Sequence, residues 1–131
     1  MSRVVALDHG SARCGVASSD PSGTIVTPLE AIAKPDTPAG MEAIKDVVQE
    51  REAALVIVGL PLGMDGGTTE QTNRVQHFAA QLRKLLSPVE VEVFDERLTT
   101  KAAQEIGGNS SEDSRAAAVL LERWLAVSEE Q

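Results

Sequence analysis

Three short apolar segments, separated by two tight-turn signals, open the sequence and limit the folds that the chain can adopt. Residues 4–7 are apolar and end at Asp8, and residues 15–19 and 24–29 follow as further predicted strands. Residues 20–23 read Asp-Pro-Ser-Gly, the residue types of a type I turn. Strands joined by such short turns pair antiparallel, so the opening predicts a three-stranded meander.

After this meander the pattern changes to alternating helices and strands. Apolar residues at helical spacing predict one helix around residues 41–48 and a longer one over residues 75–85. Between them, residues 55–58 form an apolar run that is typical of a buried strand. Charged and apolar residues alternate over residues 89–94, which favours a strand at the edge of the sheet.

Two further helices are predicted in the last third of the chain. The first begins near Thr99 and stops at Gly-Gly-Asn, and the second is capped by Ser110 or Ser111. The order is βββ-α-β-α-β-α-α, which predicts an α/β protein with a mixed five-stranded sheet and helices on both faces. That is the layout of the RNase H-like fold, and we expect residues 1–131 to form one such domain.

Composition excludes several classes of protein. A single cysteine, Cys14, rules out an internal disulfide and a cysteine-based zinc site, and it fits a reducing cytoplasm. No run approaches the ~20 apolar residues of a membrane span, and we expect neither a signal peptide nor a membrane location. The net charge of −8 argues against a nucleic-acid binder that works by bulk electrostatics.

Acidic residues follow two of the predicted strands. Asp8 ends the first strand, and Asp95 and Glu96 directly follow the edge strand. The carboxyl ends of strands form the usual ligand crevice of an α/β sheet. Because consecutive residues of a strand point to opposite faces, only one of Asp95 and Glu96 should enter a site there. The structural alternatives are a turn cap for Asp8 and a solvated pair for the other two.

Asp113 is a third acidic candidate. It lies four residues before Ala117, on the apolar stripe that Leu120, Leu121 and Trp124 continue. A carboxylate on the inward face of a helix is unusual unless it is paired or bound to metal. A capping box with Ser110 is the alternative interpretation. Three converging carboxylates would hold Mg²⁺ or Mn²⁺, and two such ions ~3.5–4 Å apart can hydrolyse a phosphodiester.

Four motifs resemble one known family. Residues 6–20 read ALDHGSARCGVASSD, residues 58–66 read VGLPLGMDG, residues 95–100 read DERLTT, and residues 113–121 read DSRAAAVLL. In this order they resemble the bacterial YqgF/RuvX family of pre-16S rRNA nucleases and Holliday-junction-resolvase-like proteins. The resemblance implies a RuvC-like RNase H fold and a divalent-metal-dependent endonuclease that processes the 5′ end of pre-16S rRNA. Cleavage of branched DNA junctions is the alternative.

The resemblance also assigns roles to residues. It implies catalytic and metal-binding roles for Asp8, Glu96 (or Asp95) and Asp113. Together with the basic residues near the predicted site, it gives a set expected to contact nucleic acid: Arg13, Arg97, Thr99, Thr100, Lys101 and Arg115.

Two departures from the family pattern qualify the expected function. His9 stands where the family usually has Pro, and the segment before Asp113 is short, with Lys101 as its only lysine. We therefore expect nucleic-acid binding to be weak and to need divalent metal. A non-catalytic binding protein with a ribosome-assembly or transcription partner is the alternative of another class. The oligomeric state is left open, a homodimer included.

Overall fold

The computed structural model describes residues 3–96 and 112–129, without the side chains of residues 112, 113 and 129. Its elements alternate between strands and helices after an opening run of strands. They are β1 (Arg3–His9), β2 (Arg13–Ser19), β3 (Val26–Ala33), α1 (Pro38–Glu50), β4 (Ala53–Leu60), α2 (Glu70–Leu86), β5 (Glu90–Asp95) and α3 (Glu112–Glu129).

The five strands form one mixed sheet in the order β3-β2-β1-β4-β5. The first three pair antiparallel as the predicted meander, whereas β4 pairs parallel with both β1 and β5. The predicted mixed five-stranded sheet is therefore confirmed, and β5 is an edge strand, with a neighbouring strand on one side only. Strands β1, β3, β4 and β5 all point the same way, so their carboxyl ends lie at one edge of the sheet, which we call the carboxyl edge.

Helices cover both faces of this sheet. On one face, Val5 and Leu7 of β1 pack with Ile44 of α1 and Phe78 of α2. On the other face, the alternate β1 residues Val4 and Ala6 pack with Ala117, Leu120 and Leu121 of α3. Because successive side chains of a strand alternate between faces, β1 contributes to both cores at once. None of the described helices has the length and apolar character needed to span a membrane.

A tight turn between β2 and β3 is confirmed at the predicted residues 20–23. The Gly23 amide donates to the Asp20 carbonyl at 3.0 Å, which closes the turn. The Asp20 carboxylate accepts hydrogen bonds from the Ser22 hydroxyl (2.6 Å) and from the amides of Thr24 (2.8 Å) and Ile25 (2.9 Å). These bonds, the one from Ser22 first, lower the pKa of Asp20 to about 2. The turn lies at the edge of the sheet opposite the carboxyl edge.

Strand β3 differs from the prediction in length. The sequence pattern ends it at residue 29, but it continues to Ala33 because Ile32 pairs with Cys14 and Ala33 with Arg13. The register of β2 against β3 shifts between Cys14 and Val16, so a local alternation pattern does not carry across this point. The predicted short helix near Thr99, its Gly-Gly-Asn stop and the Ser110 or Ser111 cap lie outside the described residues.

Candidate active site

Asp8 and Glu96 meet at the carboxyl edge on the face that α3 covers. Asp8 is the second-last residue of β1 and shares the face of Val4 and Ala6, which pack against α3. Glu96 directly follows β5, and its carboxyl group is hydrogen-bonded to that of Asp8. Both residues are half-buried. Two residues that are 88 positions apart in sequence thus form one carboxyl pair.

Gly59 provides the space that the Glu96 carboxyl occupies. Gly59 lies in β4 opposite Phe94 of β5. A β-carbon built on Gly59 would lie 2.7 Å from Oε2 of Glu96 and 3.2 Å from Cδ2 of Leu120. The sequence pattern alone did not assign a role to Gly59, although a glycine inside an apolar strand is a known sign of a close approach by another group.

Burial makes the Glu96 carboxyl costly to ionise. Desolvation raises the pKa of Glu96, and the negative charge of Asp95 raises it further, while the hydrogen bond with Asp8 acts in the opposite direction. A divalent cation beside the pair would oppose this cost, because its charge favours the ionised form of both carboxyls. The chemistry of the pair is therefore compatible with a cation as its ligand.

Asp95 lies on the other face of the sheet. Its strand neighbours Val91 and Val93 pack in the cluster formed with α1 and α2, and alternation along β5 places Asp95 with them. Glu96, rather than Asp95, thus shares the face and the hydrogen bond of Asp8. Which of the two residues binds metal stays a prediction, and this geometry favours Glu96.

The first turn of α3 reaches the same strands. The Ser114 hydroxyl accepts a hydrogen bond from the Val16 amide at 3.2 Å, and Val16 follows Gly15, which pairs with Asp8. Residue 113 therefore belongs to a helical turn that is anchored next to the Asp8 strand pair. The side chain of Asp113, the third predicted ligand, lies outside the described side chains. Among the described residues, no group of three or more His, Cys, Asp or Glu is arranged to hold a metal ion.

The predicted nucleic-acid contacts are placed only in part. Arg13 begins β2 at the carboxyl edge and is exposed, and Arg115 is half-buried near the start of α3. The others lie outside the described residues: Arg97, Thr99, Thr100 and Lys101.

Hydrogen bonds order the loop between β4 and α2, which also leaves the carboxyl edge. The Gly63 amide donates to the Gly67 carbonyl, and the Gly67 amide donates to the Asp65 carboxylate, each at 2.8 Å. The Thr72 hydroxyl, in the first turn of α2, donates to the Pro61 carbonyl. The start of the loop is thus fastened to the helix that follows it.

His9 is buried on the opposite side of β1 from Asp8. Its Nε2 lies 3.0 and 2.9 Å from the two carboxylate oxygens of Asp36, which precedes α1. Since a carboxylate can only accept, Nε2 carries the proton and donates. The His9 ring also packs on Phe78 of α2, with ring centroids 4.5 Å apart. The residue that departs from the family pattern thus ties the end of β1 to the segment before α1.

The chain is similar in sequence to a known family of proteins. Residues 2–127 match the RuvX family, described as Holliday junction resolvase. A protein of Gloeobacter violaceus, named "Putative pre-16S rRNA nuclease", is 37% identical over 131 residues, which cover 95% of this chain and 83% of that protein. A protein of Rhodococcus opacus with the same name is 39% identical over 137 residues, covering 94% and 76%.

Solved structures give the same fold. RuvC of Thermus thermophilus in complex with a Holliday junction substrate superposes with a TM-score of 0.62 at 13% identity, covering 99% of this chain and 97% of that one. A second Thermus thermophilus RuvC structure gives a TM-score of 0.62 at 12% identity, covering 98% and 96%. At this identity the likeness concerns the fold. It confirms the RNase H-like fold predicted from the order of elements and the RuvC-like form of it that the family resemblance implies.

Proposed function

Because the chain belongs to the RuvX family of Holliday junction resolvases, we propose that it is a divalent-metal-dependent endonuclease that hydrolyses phosphodiester bonds in structured nucleic acid. The observation that carries this proposal is the hydrogen-bonded carboxyl pair of Asp8 and Glu96 at the carboxyl edge. Two carboxyl groups held together and partly shielded from water are costly for folding, so their presence together favours a functional role.

The proposed ligands are oxygen donors suited to Mg²⁺ or Mn²⁺. Asp8 and Glu96 would supply two carboxylates, and Asp113, in the first turn of α3, would supply the third. When bound, such ions activate water and stabilise the leaving oxygen of a phosphodiester. In the chain itself, β1 would orient Asp8, and the space over Gly59 would hold the Glu96 carboxyl. Helix α3, which packs on the same face of the sheet, would shield both carboxylates from water.

The names of the relatives favour pre-16S rRNA as the substrate, and the family description favours a Holliday junction as the alternative. Within pre-16S rRNA, the family resemblance implies the 5′ end. Either substrate would be bound weakly and with help from metal, because the chain carries a net charge of −8. The proposed phosphate contacts include Arg13, Arg115, Arg97 and Lys101. Ribosome maturation would place the protein in the cytoplasm.

A cleavage assay tests the proposal directly. Purified protein is incubated with a structured RNA carrying a pre-16S 5′ leader and, separately, with a four-way DNA junction, each in Mg²⁺, Mn²⁺ or EDTA. We expect metal-dependent cleavage of one substrate, which Asp8→Asn abolishes. Asp46→Asn is the matched control, since Asp46 is an exposed aspartate of α1 away from the carboxyl edge. If the wild type binds these substrates but cleaves neither in any metal, the non-catalytic alternative is favoured.

A further inference from the structure

Lys34 is held in a backbone conformation that lysine rarely adopts. Its φ is +46°, in the left-handed region that favours glycine. Glu52 also has a positive φ, +53°, but it follows the last residues of α1, where a left-handed residue ends many helices. Lys34 instead follows strand β3, so a helix end does not explain its conformation.

Four contacts fix this conformation. The Lys34 amide donates to the Ala12 carbonyl at 2.9 Å, while the Lys34 carbonyl accepts from the Thr37 amide (3.1 Å) and the Thr37 hydroxyl (2.7 Å). Gly40 lies so close that a β-carbon there would be 2.1 Å from the Lys34 carbonyl oxygen. The fold therefore imposes the position, and a glycine at residue 34 would satisfy it without strain. A strained residue that the fold maintains is a candidate for function.

Lys34 lies at the carboxyl edge, beside the β1–β2 hairpin. It follows Ala33, which pairs with Arg13 across β2 and β3. Since β1 and β3 point the same way, Lys34 and Asp8 leave the sheet at the same edge. Lys34 and Arg13 are both exposed, which gives this end of the edge two cations.

The acidic residue nearest to Lys34 in the sequence, Asp36, already accepts hydrogen bonds from another side chain. Asp36 accepts from His9 through both carboxylate oxygens, at 2.9 and 3.0 Å. The Lys34 ammonium is exposed and makes no hydrogen bond or ion pair with any residue that the structure describes. In a chain of net charge −8, a cation without an acidic partner among the described residues, at the same edge as the carboxyl pair, suits a phosphate ligand.

We propose that Lys34 contacts a backbone phosphate of the nucleic acid, and that the strand crosses the carboxyl edge on the β2–β3 side, next to Arg13. This inference rests on the proposed nuclease function and adds the path of the substrate. A lysine at such a position acts as a point charge on phosphate and carries no base information.

Salt-dependent binding of a fluorescein-labelled RNA hairpin, with Ca²⁺ replacing Mg²⁺, tests the proposal. We expect Lys34→Gly and Lys34→Gln to reduce the slope of log Kd against log salt by ~0.7–0.9, the value for one phosphate contact. Lys34→Arg should retain the slope. Lys84→Gln is the matched control, because Lys84 is an exposed lysine in the last turn of α2 at the opposite edge.

The glycine variant separates binding from stability. Because glycine relieves the left-handed strain, Lys34→Gly should melt at or above the wild-type temperature while it binds more weakly. An unchanged slope in both Lys34→Gly and Lys34→Gln would overturn the inference, and so would an equal loss in Lys84→Gln or wild-type binding too weak to measure. Cleavage by the wild type in Mn²⁺ is read in parallel. Cleavage with unchanged slopes contradicts only the role of Lys34, whereas the absence of cleavage contradicts the nuclease function itself.

Discussion

The Glu96 carboxyl lies over the α-carbon of Gly59, so that a methyl group on Gly59 would come within 2.7 Å of Oε2. This contact joins β4, the middle strand of the parallel part of the sheet, to the residue that pairs with Asp8. It makes a glycine in a buried strand part of the proposed metal centre. Its consequences for stability and for metal binding can be measured separately.

Replacing Gly59 with alanine should weaken metal binding more than it weakens the fold. The atom that must move is the far end of a flexible side chain, so the melting temperature in EDTA should change little. Displacing the carboxyl from Asp8 should weaken Mn²⁺ binding about 10-fold, as is typical when a group that orients a ligand is altered.

The control for this prediction uses the Glu96→Gln background. If Gly59→Ala acts through the Glu96 carboxyl, it should have little further effect on Mn²⁺ affinity once that carboxylate is gone. Additive losses in the double variant would show that Gly59→Ala acts elsewhere, for example through Leu120.

Glu96→Gln should stabilise the metal-free protein at neutral pH. Burial raises the pKa of Glu96, so between its ordinary and its raised pKa the folded protein holds a proton that the unfolded chain has lost. The free energy of unfolding therefore falls as pH rises through that window. Gln carries no such cost, and the variant should melt roughly a few degrees higher in EDTA at pH 7. The gain should vanish near pH 4.

The matched control for this measurement is Glu92→Gln, because Glu92 is an exposed glutamate of β5. It should leave the melting temperature and its pH dependence almost unchanged. A lower melting temperature for Glu96→Gln in EDTA at pH 7 would mean that the carboxyl pair stabilises the fold rather than being a cost to it.

Asp20→Asn should destabilise the fold without affecting the site. The pKa of Asp20 is lowered to about 2 by its hydrogen bonds, so its carboxylate stabilises the folded state above an ordinary pKa of 3.8, and this contribution is lost as pH falls through about 2. The variant should melt below the wild type at pH 7, and the difference should shrink towards pH 2. Mn²⁺ affinity should be unchanged, since the turn lies at the opposite edge. An equal difference at all pH values would contradict this account of the turn.

The fold could be predicted closely because its signals are local. The Asp20 turn residues, the apolar run ending at Asp8 and the alternation before Asp95 each arise from neighbours in sequence. The end of β3 could not be predicted in this way, because the pairing of Ile32 with Cys14 continues the strand past a register shift.

The acidic residues that could form the site were predictable from the sequence, but their arrangement was not. The sequence pattern leaves both Asp95 and Glu96 open, because the choice depends on which face of the sheet each residue of β5 shares with Asp8. Likewise, the contact between His9 and Asp36 could not be predicted, because it joins residues 27 positions apart. Asp113 remains a prediction, supported by the anchoring of its neighbour Ser114 to Val16.

Calorimetric titration with Mn²⁺ tests the central claim, which is that Asp8 and Glu96 together hold the cation. We expect the wild type to bind Mn²⁺ and to melt at a higher temperature in its presence, since a ligand at 100 times its Kd stabilises by about 2.7 kcal/mol. Asp8→Asn and Glu96→Gln should each remove most of the binding and of the thermal shift, whereas Asp95→Asn should retain both. A wild type that binds no Mn²⁺, or an Asp95→Asn variant that loses binding while Glu96→Gln keeps it, would contradict the claim.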